Sequence, residues 1–231
     1  MKTTARDSSP LYVRLLAPLI RPFPDFDFGF IKPLRDRAVA SLNLVPGDRV
    51  LDAGSGPGGS FPYLLQRVGP SGRVVGVEIS ETAAQHARRR IAQNGWANVE
   101  VVVSPAHAAQ LSGTFAGLLM FAAMDVFASE AALVRLGRSL KDGARIAAFG
   151  AVLAPSLPGS LLNPLLRVAF TTLSFPTTPQ LTREPWLLLA RCTDDLKVER
   201  YFGGTMFLAS GTMNKSKIAL LERGLLHASD A

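Results

Sequence analysis

Apolar positions along this chain fall into short runs separated by polar, glycine-bearing turns, and two periodicities alternate. Near-continuous apolar runs of strand length begin at Arg49-Val50-Leu51-Asp52 and recur at Val74–Ile79, Val99–Val103, Phe115–Met120 and Ala144–Val152. Between them lie segments with helical spacing. Residues 34–45 lead to a turn at Pro46-Gly47-Asp48, and further helices are expected near Ser60–Val68, over 81–94 and over 129–140. Lys141-Asp142-Gly143 is expected to stop the last of these. Ser80 stands where a helix cap belongs, and Glu81 suits the positive end of the helix dipole. Ala83 at the third helical position means there is no capping-box acid.

Strands alternating with helices predict an α/β fold: a Rossmann-like, doubly wound, mostly parallel seven-stranded sheet with helices on both faces. Residues 153–185 break the rhythm, because six prolines punctuate apolar segments such as LLNPLLRVAF. They read as an insertion after the fifth strand. The pattern returns as a helix at Trp186–Arg191, strands at Lys197–Phe202 and Met206–Ala209, and a last amphipathic helix over about 214–226. The expected organisation is one domain over 1–231. Within it, 1–33 is an N-terminal lid, 34–152 the core, 153–185 the insertion, and 186–231 the C-terminal strands and helix.

Composition narrows the class. With 231 residues, 48% hydrophobic and 19% charged, the chain is too apolar to be disordered. Its one cysteine, Cys192, allows neither an intrachain disulfide nor a cysteine-rich zinc site, and no metal is expected. The net charge of +7 suits an anionic surface. Arg14 and prolines interrupt the early apolar stretch, so neither a spanning helix nor a clean signal peptide is expected there. The expected location is the cytoplasm, with peripheral contact at an anionic membrane as an added reading.

The chemistry concentrates in Val50-Leu51-Asp52-Ala53-Gly54-Ser55-Gly56-Pro57-Gly58-Gly59, which follows a strand and precedes a helix. Gly54-x-Gly56-x-x-Gly59 also fits a dinucleotide fingerprint. Asp52 weighs against that fit. A pyrophosphate would lie over this turn, and a carboxylate aimed there would repel it by about 1–4 kcal/mol at partly exposed distances. A cofactor bearing an ammonium and a sulfonium would be attracted instead. Glu78 ends the second strand, and its two oxygens can accept both hydroxyls of a ribose in either cofactor.

On LDAGSGPGG at 51–59, GVEIS at 76–80 and LGRSLKDGARI at 136–146, the chain resembles the class I S-adenosylmethionine-dependent methyltransferases. The resemblance runs from about Asp48 to Val152 and more weakly to about Ala209. It implies S-adenosyl-L-methionine as cofactor. Gly54, Ser55 and Gly56 would approach its methionine part, Glu78 its ribose, and Ile79 one face of its adenine. Where many members carry an acid that meets the adenine amino group, this chain has Pro105, so adenine would rely on backbone groups near Ala106. The family's frequent Phe-Asp at the fourth strand is Phe115-Ala116 here.

No acid–base pair stands out. Asp125 and Tyr12 are the catalytic candidates; His86, His107 and His227 read as solvated. Phe23, Phe26, Phe28 and Phe30 lie among Pro24, Asp25, Asp27 and Gly29, which points to an irregular lid segment. Residues 10–33 and 153–205 are rich in Leu, Phe and Pro and poor in acids, so the expected acceptor is apolar: quinone-like, polyketide-like or a lipid. Phe121-Ala122-Ala123-Met124 lacks the Asn/Asp-Pro-Pro-aromatic signature of amino-methylating nucleic-acid enzymes, which makes nucleic acid a poor partner. The alternatives are a nicotinamide-dependent oxidoreductase and a non-catalytic binding module of the same fold.

Overall fold

The structure is a computed structural model that describes residues 29–164 and 184–229, with the side chains of 227–229 left aside. Seven strands form one sheet: β1 (Arg49–Ala53), β2 (Arg73–Glu78), β3 (Val99–Val103), β4 (Phe115–Phe121), β5 (Leu140–Ala151), β6 (Lys197–Tyr201) and β7 (Met206–Thr212). Their order is β3-β2-β1-β4-β5-β7-β6. The first five strands pair in parallel, and β7 runs antiparallel to both β5 and β6. The expected mostly parallel sheet is therefore present. Strand order reverses at β1, which puts the switch point of the sheet beyond the carboxyl ends of β1 and β4, the place where open α/β sheets bind ligands.

The sheet's apolar runs are buried on both faces, as parallel strands require. On one face Val50, Val74, Leu119, Phe121 and Phe149 pack with residues of helices α1 (Lys32–Ala40), α2 (Phe61–Val68) and α3 (Glu81–Asn94). On the other, Leu51, Val75, Leu118 and Met120 pack under α4 (Met124–Phe127) and α5 (Glu130–Arg138), α6 (Leu187–Ala190) and α7 (Lys215–Ser229). Ser80 caps α3, its hydroxyl accepting from the Ala83 N–H, and Ser129 caps α5 in the same way through Ala132.

Several boundaries differ from the sequence reading, and three of the shifts have a visible physical reason. The helix expected over 34–45 is Lys32–Ala40: Pro33 opens it at a first-turn position, and the chain turns out through Asn43 at φ 52°. Lys141-Asp142-Gly143 does not separate a helix from a strand. Leu140 already pairs with Phe115, the turn bulges outward with Gly143 at φ 71°, and pairing resumes at Arg145 with Gly117. β7 runs to Thr212 rather than 209, because β5 offers it a partner as far as Arg145. Of the proposed lid only 29–33 lies within the described residues, and of the insertion only 153–164 and 184–185. Among the described residues no helix is long and apolar enough to cross a membrane.

Candidate functional site

The glycine loop leaves β1 and folds back over the end of β2. The N–H groups of Gly54 and Ser55 both donate to the Val77 carbonyl, at 2.8 and 3.1 Å. The Gly56 N–H donates to Glu78 Oε2 at 2.8 Å, and the Gly58 N–H to the Ser55 carbonyl at 3.0 Å. Pro57 has no N–H. Gly54, Gly56 and Gly58 all hold positive φ, which is why glycine is required at the three bends. A Cβ on Gly54 would collide with the Ala123 side chain, whereas one on Gly56 would enter open space. Gly76 beside Asp52 in β2 supplies the room for the fold-back: a Cβ there would stand 2.8 Å from the Ser55 hydroxyl.

This hydrogen-bond pattern bears on ligand charge. A phosphate-binding turn keeps its backbone N–H groups free to face the anion. Here those of Gly54, Ser55, Gly56 and Gly58 are already taken by acceptors within the protein. Two acidic side chains, Asp52 and Glu78, and the Arg35 guanidinium are buried at the loop.

Asp52 is 1% exposed, and neither of its oxygens has a hydrogen-bond partner among the described residues. It therefore does not cap the helix that follows. Burial pushes its carboxyl up to about 7; the Arg35 guanidinium draws it back down, and the Glu78 carboxylate pushes it further up. A buried, unpartnered carboxyl is costly unless something pairs with it. Asp52 and the buried, equally unpartnered Ser55 hydroxyl thus fit a ligand that brings positive charge and hydrogen-bond donors.

Glu78, 6% exposed, accepts from Gly56 N through one oxygen and from Ser80 N at 2.8 Å through the other. Each oxygen keeps a second acceptor site. Ile79, next along, is 52% exposed. Ala106 opens a short 3-10 turn (Ala106–Ala108) beyond β3, and the Ser104 N–H holds this connection to the Glu78 carbonyl. The ends of β1, β2 and β3 therefore bring Asp52, the loop, Glu78, Ile79 and Ala106 to one edge of the sheet. His107 in that turn is exposed. Asp125 is exposed on α4, just after β4. Tyr12, Phe23, Phe26, Phe28, Arg14, Arg21 and Arg167 lie outside the described residues.

Two further features stand at this edge; the sequence reading missed the first and had the second only as the apolar composition of residues 10–33 and 153–205. Arg35 is buried, 4% exposed, with Nη1 donating to the Ser60 hydroxyl at 2.9 Å and its guanidinium 4.3 Å from the centre of the Phe121 ring. Its helical spacing from Ile31 and Ala38, both buried, was the available signal. The second is an apolar wall at the ends of β5, β6 and β7. Phe30 and Phe202 meet edge to face at 5.4 Å while both remain about half exposed. Leu157 and Leu161 are 71% and 72% exposed. Gly159 packs directly on Gly203, joining the two turns that carry these side chains. Phe202 holds φ 51°, and Ala122 after β4 holds φ 61°, a backbone conformation that costs energy for a non-glycine residue.

The family of methyltransferase domains matches residues 50–143. A nocamycin O-methyltransferase of Saccharothrix syringae is 31% identical over 138 residues, covering 59% of this chain and 49% of the relative. A ubiquinone/menaquinone biosynthesis C-methyltransferase of Ectopseudomonas mendocina is 34% identical over 137 residues, 58% of this chain and 51% of the relative. The chain thus spans about half the length of the curated relatives it matches. In fold it is similar to an S-adenosylmethionine-dependent methyltransferase of Aquifex aeolicus, with a TM-score of 0.57 at 19% identity, covering 86% of this chain and 98% of that one.

Proposed function

We propose, from a core at residues 50–143 that matches the methyltransferase-domain family, an S-adenosylmethionine-dependent enzyme that methylates an apolar small molecule. S-adenosyl-L-methionine, when bound, supplies the methyl group and a neutral thioether leaving group. Asp52 faces its cationic end. Gly54, Ser55 and Gly56 shape the floor, the spare acceptor sites of Glu78 take the ribose hydroxyls, Ile79 covers adenine, and the backbone near Ala106 meets the adenine edge. The observation that carries the cofactor side of this reading is Asp52, buried with neither oxygen hydrogen-bonded among the described residues, beside a loop in which the N–H groups of Gly54, Ser55, Gly56 and Gly58 are taken.

On the acceptor side, Phe30, Phe202, Leu157, Leu161 and Leu162 offer exposed apolar surface and no charge. Such a wall holds a flat or branched hydrocarbon and excludes water. Its role is alignment, bringing a nucleophile to about 3–3.5 Å from the methyl group. An acidic hydroxyl or an enolic carbon needs no dedicated base. For a weaker acid, Asp125 beside β4 is the candidate proton acceptor. Relatives named for nocamycin and for ubiquinone/menaquinone support a quinone-like or polyketide-like acceptor. The exposed leucines also suit an acceptor taken from an anionic membrane surface.

The test is methyl transfer from labelled cofactor into a panel of quinols, polyketide phenols, prenyl lipids and RNA. Label in the organic extract is expected. Label in RNA alone, or none in any extract, would overturn the acceptor class. Flotation with anionic vesicles, read against neutral vesicles, decides the membrane part: equal recovery in both removes it.

A further inference from the structure

Arg35 comes from helix α1, outside the residues matched to the family, yet its guanidinium is buried against the cofactor loop. Three contacts define it. Nη1 donates to the Ser60 hydroxyl at 2.9 Å. The Phe121 ring at the end of β4 covers its face at 4.3 Å, the arrangement of a cation–π pair. Gly59 lies so close that a Cβ there would stand 2.8 Å from Nη1. The guanidinium is therefore wedged between the end of the loop and the end of β4, and its charge acts on Asp52.

We propose that Arg35 is a positioning residue of the cofactor site: it pins the end of the glycine loop through Ser60 and sets a buried positive charge beside the loop that favours the anionic form of Asp52 toward a cationic cofactor. This rests on the proposal that S-adenosylmethionine binds at the loop. Among the described residues, the charged groups that act on Asp52 are Arg35 from α1 and Glu78 from β2. Its neighbours in register, Gly76 on β2 and Leu119 on β4, carry no charge. Glu78 opposes ionisation of Asp52 and Arg35 favours it, so Arg35 is the residue whose loss should leave Asp52 protonated. Lysine would keep the charge but not the planar fork that reaches Ser60 and lies on Phe121. Charge and anchoring are thereby separable.

The experiment is titration calorimetry across pH 6–9 with S-adenosylmethionine, and with 5′-methylthioadenosine as a probe lacking both sulfonium and ammonium. In the wild type, affinity for S-adenosylmethionine rises by about tenfold between pH 6 and 8 as Asp52 ionises near pH 7, and affinity for methylthioadenosine stays flat over that range. Arg35→Met should move the midpoint of the S-adenosylmethionine profile upward by at least about one pH unit. Arg35→Lys should keep the wild-type midpoint at weaker affinity, and Ser60→Ala should weaken affinity without moving the midpoint. A merely structural role lowers affinity equally at every pH. Superimposable Arg35→Met and wild-type profiles would overturn the charge role, and wild-type affinity in Ser60→Ala the anchoring role. If Arg35→Met does not fold, an upward shift in Arg35→Lys overturns the charge role instead. Failure of the wild type to bind S-adenosylmethionine at any pH defeats the cofactor reading itself, and this inference with it.

Discussion

The Glu78 carboxylate accepts the Gly56 backbone N–H at 2.8 Å, so the acid at the end of β2 is fastened to the bend that leaves β1. One side chain both fixes the loop and is the one proposed to take the ribose hydroxyls. Its loss should therefore cost more than a single contact. Glu78→Gln and Glu78→Ala should weaken S-adenosylmethionine binding by roughly 10–100-fold, the range for a hydrogen bond to a charged group. Calorimetry reads this directly, and wild-type affinity in both variants would remove Glu78 from the site.

Asp52 carries a stability cost with a definite pH sign. Its folded carboxyl holds a proton up to about pH 7, against 3.8 for the ordinary group. Between those values the folded protein binds more protons than the unfolded chain, so stability falls as pH rises through the window. Asp52→Asn removes that slope. Its melting temperature should match the wild type near pH 4 and exceed it at pH 8, where the gain in stability is on the order of several kcal/mol at most. Cofactor affinity should fall in the same variant, a stability–activity trade-off. Equal melting temperatures at pH 8 would show that Asp52 is not under strain.

Gly54 and Gly56 separate folding from binding. Gly54→Ala drives a methyl into Ala123 and sits at φ 71°, so it should lower the melting temperature markedly. Gly56→Ala meets no protein atom and costs about 1–2 kcal/mol for its left-handed backbone. It should nonetheless abolish cofactor binding, because the added methyl enters the open space above the loop. Thermal melts paired with calorimetry distinguish the two; full binding by Gly56→Ala would place the cofactor elsewhere.

Phe202 combines an aromatic ring of the apolar wall with a φ of 51°. Phe202→Ala and Phe202→Gly both delete the ring and should raise KM for an apolar acceptor. Glycine alone relieves the backbone, so Phe202→Gly should melt above Phe202→Ala by about 1 kcal/mol in stability. Unchanged KM in both would detach the wall from acceptor binding.

The cofactor half of the site was legible because its determinants are local. Asp52, the glycine loop, Glu78 and Ile79 fall within one β-α-β stretch, where period and turn chemistry dictate geometry. The acceptor half was legible only as composition. Phe30 and Phe202 are far apart in sequence and meet because β6 and β7 return the chain to the sheet's carboxyl edge. Arg35 reads as a surface residue in LRDRAVA until α1 packs on the face that carries Phe121. Lys141-Asp142-Gly143 reads as a terminus because turn residues look alike at a helix end and at a strand bulge. Spent N–H groups at Gly54 and Ser55 leave no trace in sequence, since the acceptor is a backbone carbonyl of β2.

The cofactor assignment is best examined by titrating the wild-type protein at pH 8 with S-adenosylmethionine and, separately, with NAD. Saturable binding of the first and none of the second is expected, with the first signal lost in Asp52→Asn. Binding of NAD alone, or S-adenosylmethionine affinity indifferent to Asp52→Asn, would contradict the role given to that carboxyl group.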